Sequence, residues 1–160
     1  MKIFSVVLMM FVSGLTFSQN YQTGIGLKGS AVGRVGGAGI NVKHFIGGGL
    51  ALDATVGGGA NNLRFDLLAQ WHAPTGIVPK LDWYLGAGGM LGFWSSSVTI
   101  GNNNVSNSGM YIIGQGVAGL DYTFSEIPLN ISLELGPHLG LINAGGFGFG
   151  GALAVRYVLN

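Results

Sequence analysis

Ser132, Glu134 and His138 are the residues whose types and spacing come nearest to a catalytic set. A hydroxyl, a carboxylate and an imidazole on one face are the parts of a nucleophile activated by a base. All three fall on even positions of the segment 129–141, LNISLELGPHLGL. In an extended chain, however, Ser132 and His138 lie about 20 Å apart, at roughly 3.3 Å per residue. A triad would have to borrow Asp121 or Arg156 from neighbouring segments, and a polar interior network explains the same residues more simply. His44, His72 and His138 show no metal-ligand spacing, and there is no Cys for a thiolate site or a disulfide. The segment 24–29, GIGLKG, has the letters of a dinucleotide fingerprint, yet no strand precedes it and no helical pattern follows to receive a pyrophosphate. The sequence thus calls for no cofactor, no metal and no enzymatic chemistry.

The element that carries Glu134 and His138 is a strand. Its odd positions are Leu129, Ile131, Leu133, Leu135, Pro137, Leu139 and Leu141, and its even positions hold every polar side chain. On a helix those apolar residues would spread around the circumference, and Gly136 with Pro137 would break the middle. The same alternation and its turn signals predict eight strands at 21–31, 37–45, 49–56, 62–72, 81–94, 110–124, 129–141 and 147–159. The longest connection, 95–109, contains no charge. At Pro137 a ladder hydrogen bond must be lost, so a bulge or local fraying is expected there, with alternation resuming at Leu139.

Composition narrows what such strands build. Charged residues make up 8 % of the chain and hydrophobic ones 48 %, against about 25 % charged in an ordinary soluble domain. Lys2, the apolar run 3–11 and the small residues Thr16 and Ser18 read as a secretory signal peptide, 1–18, cleaved before Gln19. The remaining chain, 19–160, carries six basic and six acidic residues, a balance that gives nucleic acid no support as a partner. No segment offers 18 consecutive apolar residues. An exported, charge-poor, alternating chain with an even number of strands points to an antiparallel up-and-down transmembrane β-barrel, all-β, in the outer membrane of a Gram-negative bacterium.

Charge then orients the strands. An outward cation at the bilayer midplane costs about 2 to 4 kcal/mol, so strand charges should face the lumen. The residues assigned there are Lys28, Lys43, Asp53, Arg64, Asp66, Asp82, Gln115, Asp121, Glu134, His138 and Arg156. Four cations and five anions among them can pair, and inward glycines such as Gly24, Gly86, Gly88 and Gly136 make room for them. That predicts a plugged lumen, since eight strands enclose little beyond side chains. Aromatics give a second test, as barrels carry girdles at both membrane interfaces. Tyr21, Phe45, Trp71, Trp83, Tyr84, Tyr122, Phe124 and Tyr157 fall near one rim, and Phe93, Trp94, Tyr111, Phe147 and Phe149 near the other. With the first strand rising from the periplasm, 95–109 is extracellular and could contact a ligand there.

The segments 81–94 (LDWYLGAGGMLGFW), 116–137 (GVAGLDYTFSEIPLNISLELGP) and 152–160 (ALAVRYVLN) resemble the small outer-membrane β-barrel proteins of Bacteroidetes, which are similar in architecture to OmpX-like eight-stranded barrels. The resemblance covers nearly the whole exported chain. It implies fold, location, outer-membrane lipid and the barrel-insertion machinery as partners, and a structural or surface-interaction role, with no catalytic residues to carry over. A monomer is expected. The chain departs from the family in ending Leu159-Asn160 instead of in an aromatic residue, leaving Tyr157 as the nearest aromatic. The alternatives to weigh are an outer-membrane enzyme acting on lipid or peptide, a narrow channel for ions or solutes, and a soluble lipocalin-like barrel.

Overall fold

The computed structural model describes residues 21–100 and 103–159, with 98–100 and 103–105 described by backbone alone. The signal-peptide expectation, 1–18, lies outside the described residues. Eight strands follow in order: β1 (Thr23–Val32), β2 (Val35–Gly47), β3 (Leu50–Gly59), β4 (Asn62–Pro74), β5 (Leu81–Ile100), β6 (Asn103–Thr123), β7 (Leu129–Ile142) and β8 (Phe147–Leu159). Each pairs antiparallel with the next, and β8 pairs with β1 from Thr23↔Leu159 to Val32↔Gly150, closing an up-and-down barrel.

Period-2 alternation is the rule on every wall. On β7 the even residues Asn130, Ser132, Glu134 and His138 are buried and Leu133, Leu135, Leu139 and Leu141 exposed. The outer wall is apolar throughout: Leu27, Ile40, Leu52, Phe65, Leu67, Trp71, Leu85, Leu120, Leu153 and Tyr157 all stand exposed. All nine charged residues of the described strands are buried, while Arg34, Lys80 and Glu126 sit in turns and are exposed. Tight turns between strands use left-handed backbone where needed, at Gly33 (φ 60°) after β1 and Gly48 (φ 61°) after β2.

Three expectations need correcting. The first is the loop at 95–109: its described residues continue β5 and β6 in register from Ser95↔Ser108 to Ile100↔Asn103. A run of Ser, Asn, Val and Thr without Pro carries no obstacle to continued pairing, so the barrel extends into a two-stranded ribbon. β4 leaves β5 at Asn62↔Trp94 and β7 leaves β6 at Ile112↔Ile142, and among the described residues no third strand joins the ribbon above those points.

Pro137 is the second, and only the bulge needs moving. Its position does not disturb the alternation, and β7 keeps its pairing with β8 there, at Pro137↔Phe149. On the β6 side the expected fraying is present: the ladder skips from Gln115↔His138 to Ala118↔Leu135, without a change of register, and alternation continues at Leu139. The bulge falls instead at Leu141, between Ile112↔Ile142 and Ile113↔Gly140.

The third concerns four of the aromatics assigned to the rims. Tyr21, Phe45, Tyr84 and Tyr111 are buried in the interior, all at 4 % exposure or less. Position along a strand was the basis of the rim assignment, whereas the face is set by parity: Phe45, Tyr84 and Tyr111 share parity with the buried Lys43, Asp82 and Asp121 of their strands, and Tyr21 stands before the first residue of β1. Trp71, Trp83, Phe93, Phe147, Phe149 and Tyr157 are exposed on the outside, with Trp94, Tyr122 and Phe124 half-buried.

A bulky ring in a narrow lumen needs empty space across from it, and glycine supplies it. Tyr84 is paired with Gly119, and Tyr111 with Gly92. A Cβ on Gly119 would lie 2.6 Å from the Tyr84 hydroxyl oxygen. Trp94 repeats the arrangement against its partner Gly109, where a Cβ would come within 2.8 Å of Cε2. The β5–β6 pair therefore lays an aromatic ring over a cross-strand glycine three times. Gly119→Ala is expected to displace Tyr84 and destabilise the barrel by about 1–3 kcal/mol, the usual cost of overpacking. Urea unfolding in detergent measures it, and a wild-type midpoint would rule out the steric pairing.

Candidate functional site

The interior is built in layers. At the end where the chain enters β1, Tyr21, Phe45, Ala51 and Val158 form an apolar plate. Tyr21 meets Phe45 edge to face at 5.0 Å, Phe45 meets His72 at 4.8 Å, and His72 stacks on Tyr84 at 4.7 Å. At the opposite end Val32, Met90, Tyr111 and Ile113 make a second plate, flanked by Val35, Trp94 and Ala144. Between the plates lies the polar network.

Arg156 on β8 is its centre. Its Nε donates to Asn41 Oδ1, Nη1 donates to Asn130 Oδ1 (3.1 Å) and Ser132 Oγ (2.7 Å), and Nη2 donates to Asp53 Oδ2 at 2.7 Å. Asp53 also accepts from Lys28 (3.1 Å) and Asn41 (2.9 Å). Asp121, the second carboxylate near Arg156, accepts from Lys43 Nζ at 2.8 Å and from Asn130. Lys43 Nζ in turn stands 4.5 Å from the centre of the Tyr84 ring, a favourable placement of a cation over a π face. Glu134 takes Lys28 at 2.6 Å, Tyr84 Oη at 2.8 Å and Gln70 Nε2 at 3.2 Å. Lys28 thus links two carboxylates across the lumen. Asp82 is buried beside this group, opposite Asp121 in the β5–β6 register.

Arg64 and Asp66 form a separate unit nearer the far end. Arg64 Nη2 donates to Ser30 Oγ (2.6 Å) and to the Gly37 carbonyl (3.0 Å), and Nε stands 3.4 Å from Asp66 Oδ2. Gln115, half-buried, donates to Asp66 at 3.4 Å. His138 takes no part in either unit. Its ring lies between Gly33 and Gly148, where an added Cβ would come within 2.8 and 2.7 Å of the imidazole. Ser132 is bound to Arg156 and Glu134 to Lys28, so the Ser132, Glu134 and His138 set is not assembled as a nucleophile and its base. GIGLKG lies within β1, a strand, as the absence of a helical pattern implies.

The fold is similar to that of the N-terminal β-barrel domain of Pseudomonas aeruginosa OprF. That crystal structure aligns at a TM-score of 0.62 with 19 % identity, covering 88 % of this chain and 100 % of the other. No family model matches the sequence, and no curated protein sequence does either. At this identity the likeness is one of fold.

Sequence reasoning missed part of the network. Asn41, Thr55, Gln70 and His72 are buried with it, beside Asn130, which alternation along 129–141 had already put on the polar face; parity finds the other four, because each is two residues from a charge or a neutral polar group on the same face. Leu68 also points inward, as its place between Asp66 and Gln70 requires, and so do Met90, Ile113 and Val117, whose own apolarity does not mark them. Breaking a buried ion pair by removing one partner costs about 3–5 kcal/mol. Arg156→Met should destabilise the barrel by about that amount, since it leaves Asn41, Asn130 and Ser132 without their donor. The loss of folded species on heat-modifiability gels and in urea titration checks it; unchanged unfolding would mean that the network is dispensable.

Proposed function

We propose that the chain is an integral outer-membrane β-barrel of the Bacteroidetes type, exported by the signal peptide at 1–18 and inserted as a monomer. Its role is structural or surface-interacting, without catalysis. The observation that carries this reading is the outer wall: large apolar side chains stand exposed around the whole barrel, and every charged residue of the described strands is turned inside. In water such a wall would be an apolar patch far beyond the few hundred Å² that soluble monomers expose. In a bilayer it is the required surface, and a closed barrel leaves no strand edge in the hydrocarbon. Outward Trp71, Trp83 and Tyr157 near one rim, and Phe93, Phe147 and Phe149 near the other, suit the two interfaces. The shared fold with the OprF barrel domain goes with this reading. A soluble lipocalin-like barrel would carry the reverse arrangement, apolar inside.

The lumen is plugged in this proposal. Arg64, Arg156, Tyr84, Lys43, Leu68, Met90 and Ile113 fill it as fully buried side chains. A cavity of about 20 Å³ beside Lys28, Gln115 and Glu134 has room for about one water.

Three outcomes test the reading. The protein should stay with membranes through carbonate and high-salt washes and be released by detergent; release without detergent overturns it. Leu133→Arg, on the outer face of β7, should cost about 2–4 kcal/mol in a bilayer, read from urea unfolding in lipid vesicles, and no change there would mean that Leu133 does not meet lipid. Planar-bilayer recordings are expected to show no steady current, and a defined conductance would replace the plug with a channel.

A further inference from the structure

Above Trp94 and Ile112 the β5–β6 ribbon leaves the barrel with both edges open among the described residues. Which backbone groups those edges present follows from the parity of the ladder. In an antiparallel pair, opposed residues alternate between those that exchange both hydrogen bonds and those that turn their N–H and C=O away. Thr123 N donates to the Lys80 carbonyl, so the odd residues of β6 bond to β5 and the even ones face the other side. The rest of the strand agrees: Phe124 N donates to the Leu129 carbonyl towards β7, and the Met110 carbonyl accepts from Asn143 Nδ2. Beyond Met110, the outward backbone groups of Ser108, Ser106 and Asn104 meet no described strand. The β5 edge offers less, since Ser95 N donates to the Asn61 carbonyl and only Ser97 and Thr99 follow on that parity.

Nothing on the β6 edge opposes pairing. Native proteins blunt an open edge with Lys, Pro, a bulge or a covering segment. The run 95–109 holds no charge and no proline, and its described part keeps one register from Ser95↔Ser108 to Ile100↔Asn103. Its outward residues are also self-complementary. They are spaced evenly about Ser106, so a two-fold axis through Ser106 and perpendicular to the strand sets Ser106 against Ser106 of a second copy, and Asn104 against Ser108 in both directions. Every outward N–H of Asn104, Ser106 and Ser108 then meets a C=O. Ser106 and Ser108 are exposed and uncharged, so no like charges face one another across the axis. The pairing ends at the barrel rim, where Asn143 occupies the Met110 carbonyl.

We propose that the β6 edge of the ribbon, at Asn104, Ser106 and Ser108, pairs antiparallel with the same edge of a second copy of this chain, making one sheet shared between two barrels. Such an isologous contact places the barrels at opposite ends of the sheet. For a barrel held in a bilayer it is a contact between two facing surfaces, and each copy stays a monomer in its own membrane. The inference supplies a partner for the surface role proposed above and rests on that reading only for its setting. The pairing itself is read in detergent, so its failure is distinct from a failure of membrane extraction.

The test uses the full chain refolded in detergent. Sedimentation is expected to show a monomer–dimer equilibrium between about 10 μM and about 1 mM, the weak end of specific association. Ser106→Pro removes the central outward N–H and leaves the β5 ladder whole. It is expected to weaken the dimer about tenfold or more, with thermal unfolding unchanged. The chain has no cysteine, so single introduced thiols report the register. Ser106→Cys lies on the axis, with about 5.5 Å between Cα atoms, inside the range that a disulfide spans. Ser108→Cys lies about 13 Å from its counterpart, four residues along at about 3.3 Å each. Oxidation should therefore link Ser106→Cys into dimers about fivefold or more in excess of Ser108→Cys. The proposal is overturned by a monomer at every concentration, by a dimer indifferent to Ser106→Pro, or by equal cross-linking at the two positions.

Discussion

Charge has one place to go in this molecule, and the rest of the interior follows from that. The outer faces of the strands are apolar, so the ionised side chains of the strands are confined to a tube whose walls they must also hold together. Taking an ion out of water costs several kcal/mol, and that cost is repaid only by close pairing with the remaining donors and acceptors satisfied. Arg156 meets this condition through four hydrogen bonds, and Asp53 through Lys28, Asn41 and Arg156. Neutral amides and hydroxyls between the ions are therefore part of the electrostatics. Asn41 and Asn130 each donate to a carboxylate and accept from Arg156, which spreads the pairing over five strands.

Volume is the second constraint, and glycine is how the chain meets it. A tube this narrow cannot hold an Arg or Tyr opposite another long side chain. The inward wall of β8 is therefore Ala152, Ala154 and Arg156 in succession, and the tyrosines of β5 and β6 lie across glycines of the partner strand. The high glycine content, 31 residues, is in this light a packing requirement of the lumen as much as a feature of turns.

Alternation made most of this fold legible in the sequence. Parity along each strand separates lipid-type from polar side chains, and it located the strands, their order of pairing and the inward position of the charged residues. Three kinds of information were not local. Whether the Ser/Asn run at 95–109 pairs with itself depends on β5 and β6 being neighbours already. Whether an aromatic points in or out near a strand end depends on parity, which position along the strand does not reveal, so Phe45, Tyr84 and Tyr111 were placed on the wrong face; Tyr21, ahead of β1, is turned inward by its contact with Phe45. And the isolation of His138 from the network depends on Gly33, in the turn after β1, and Gly148 of β8.

The bonds of Arg156 to Asn41 and Asp53 join residues 115 and 103 apart in the chain. They bring the last strand to the second and third, across the seam where β8 meets β1. No growing hairpin can make them, and an open sheet of seven strands would hold Asp53 with one of its counterions still missing. Loop closure must be completed before such distant contacts form. In the bilayer proposed for this chain, an unclosed sheet would also present both its unpaired edge and its ionised face to hydrocarbon. Closure and neutralisation are consequently one event: the step that seals the backbone ladder is the step that assembles the ion network. The seam strand β8, carrying the one arginine on which that network converges, acts as the latch of the barrel's assembly.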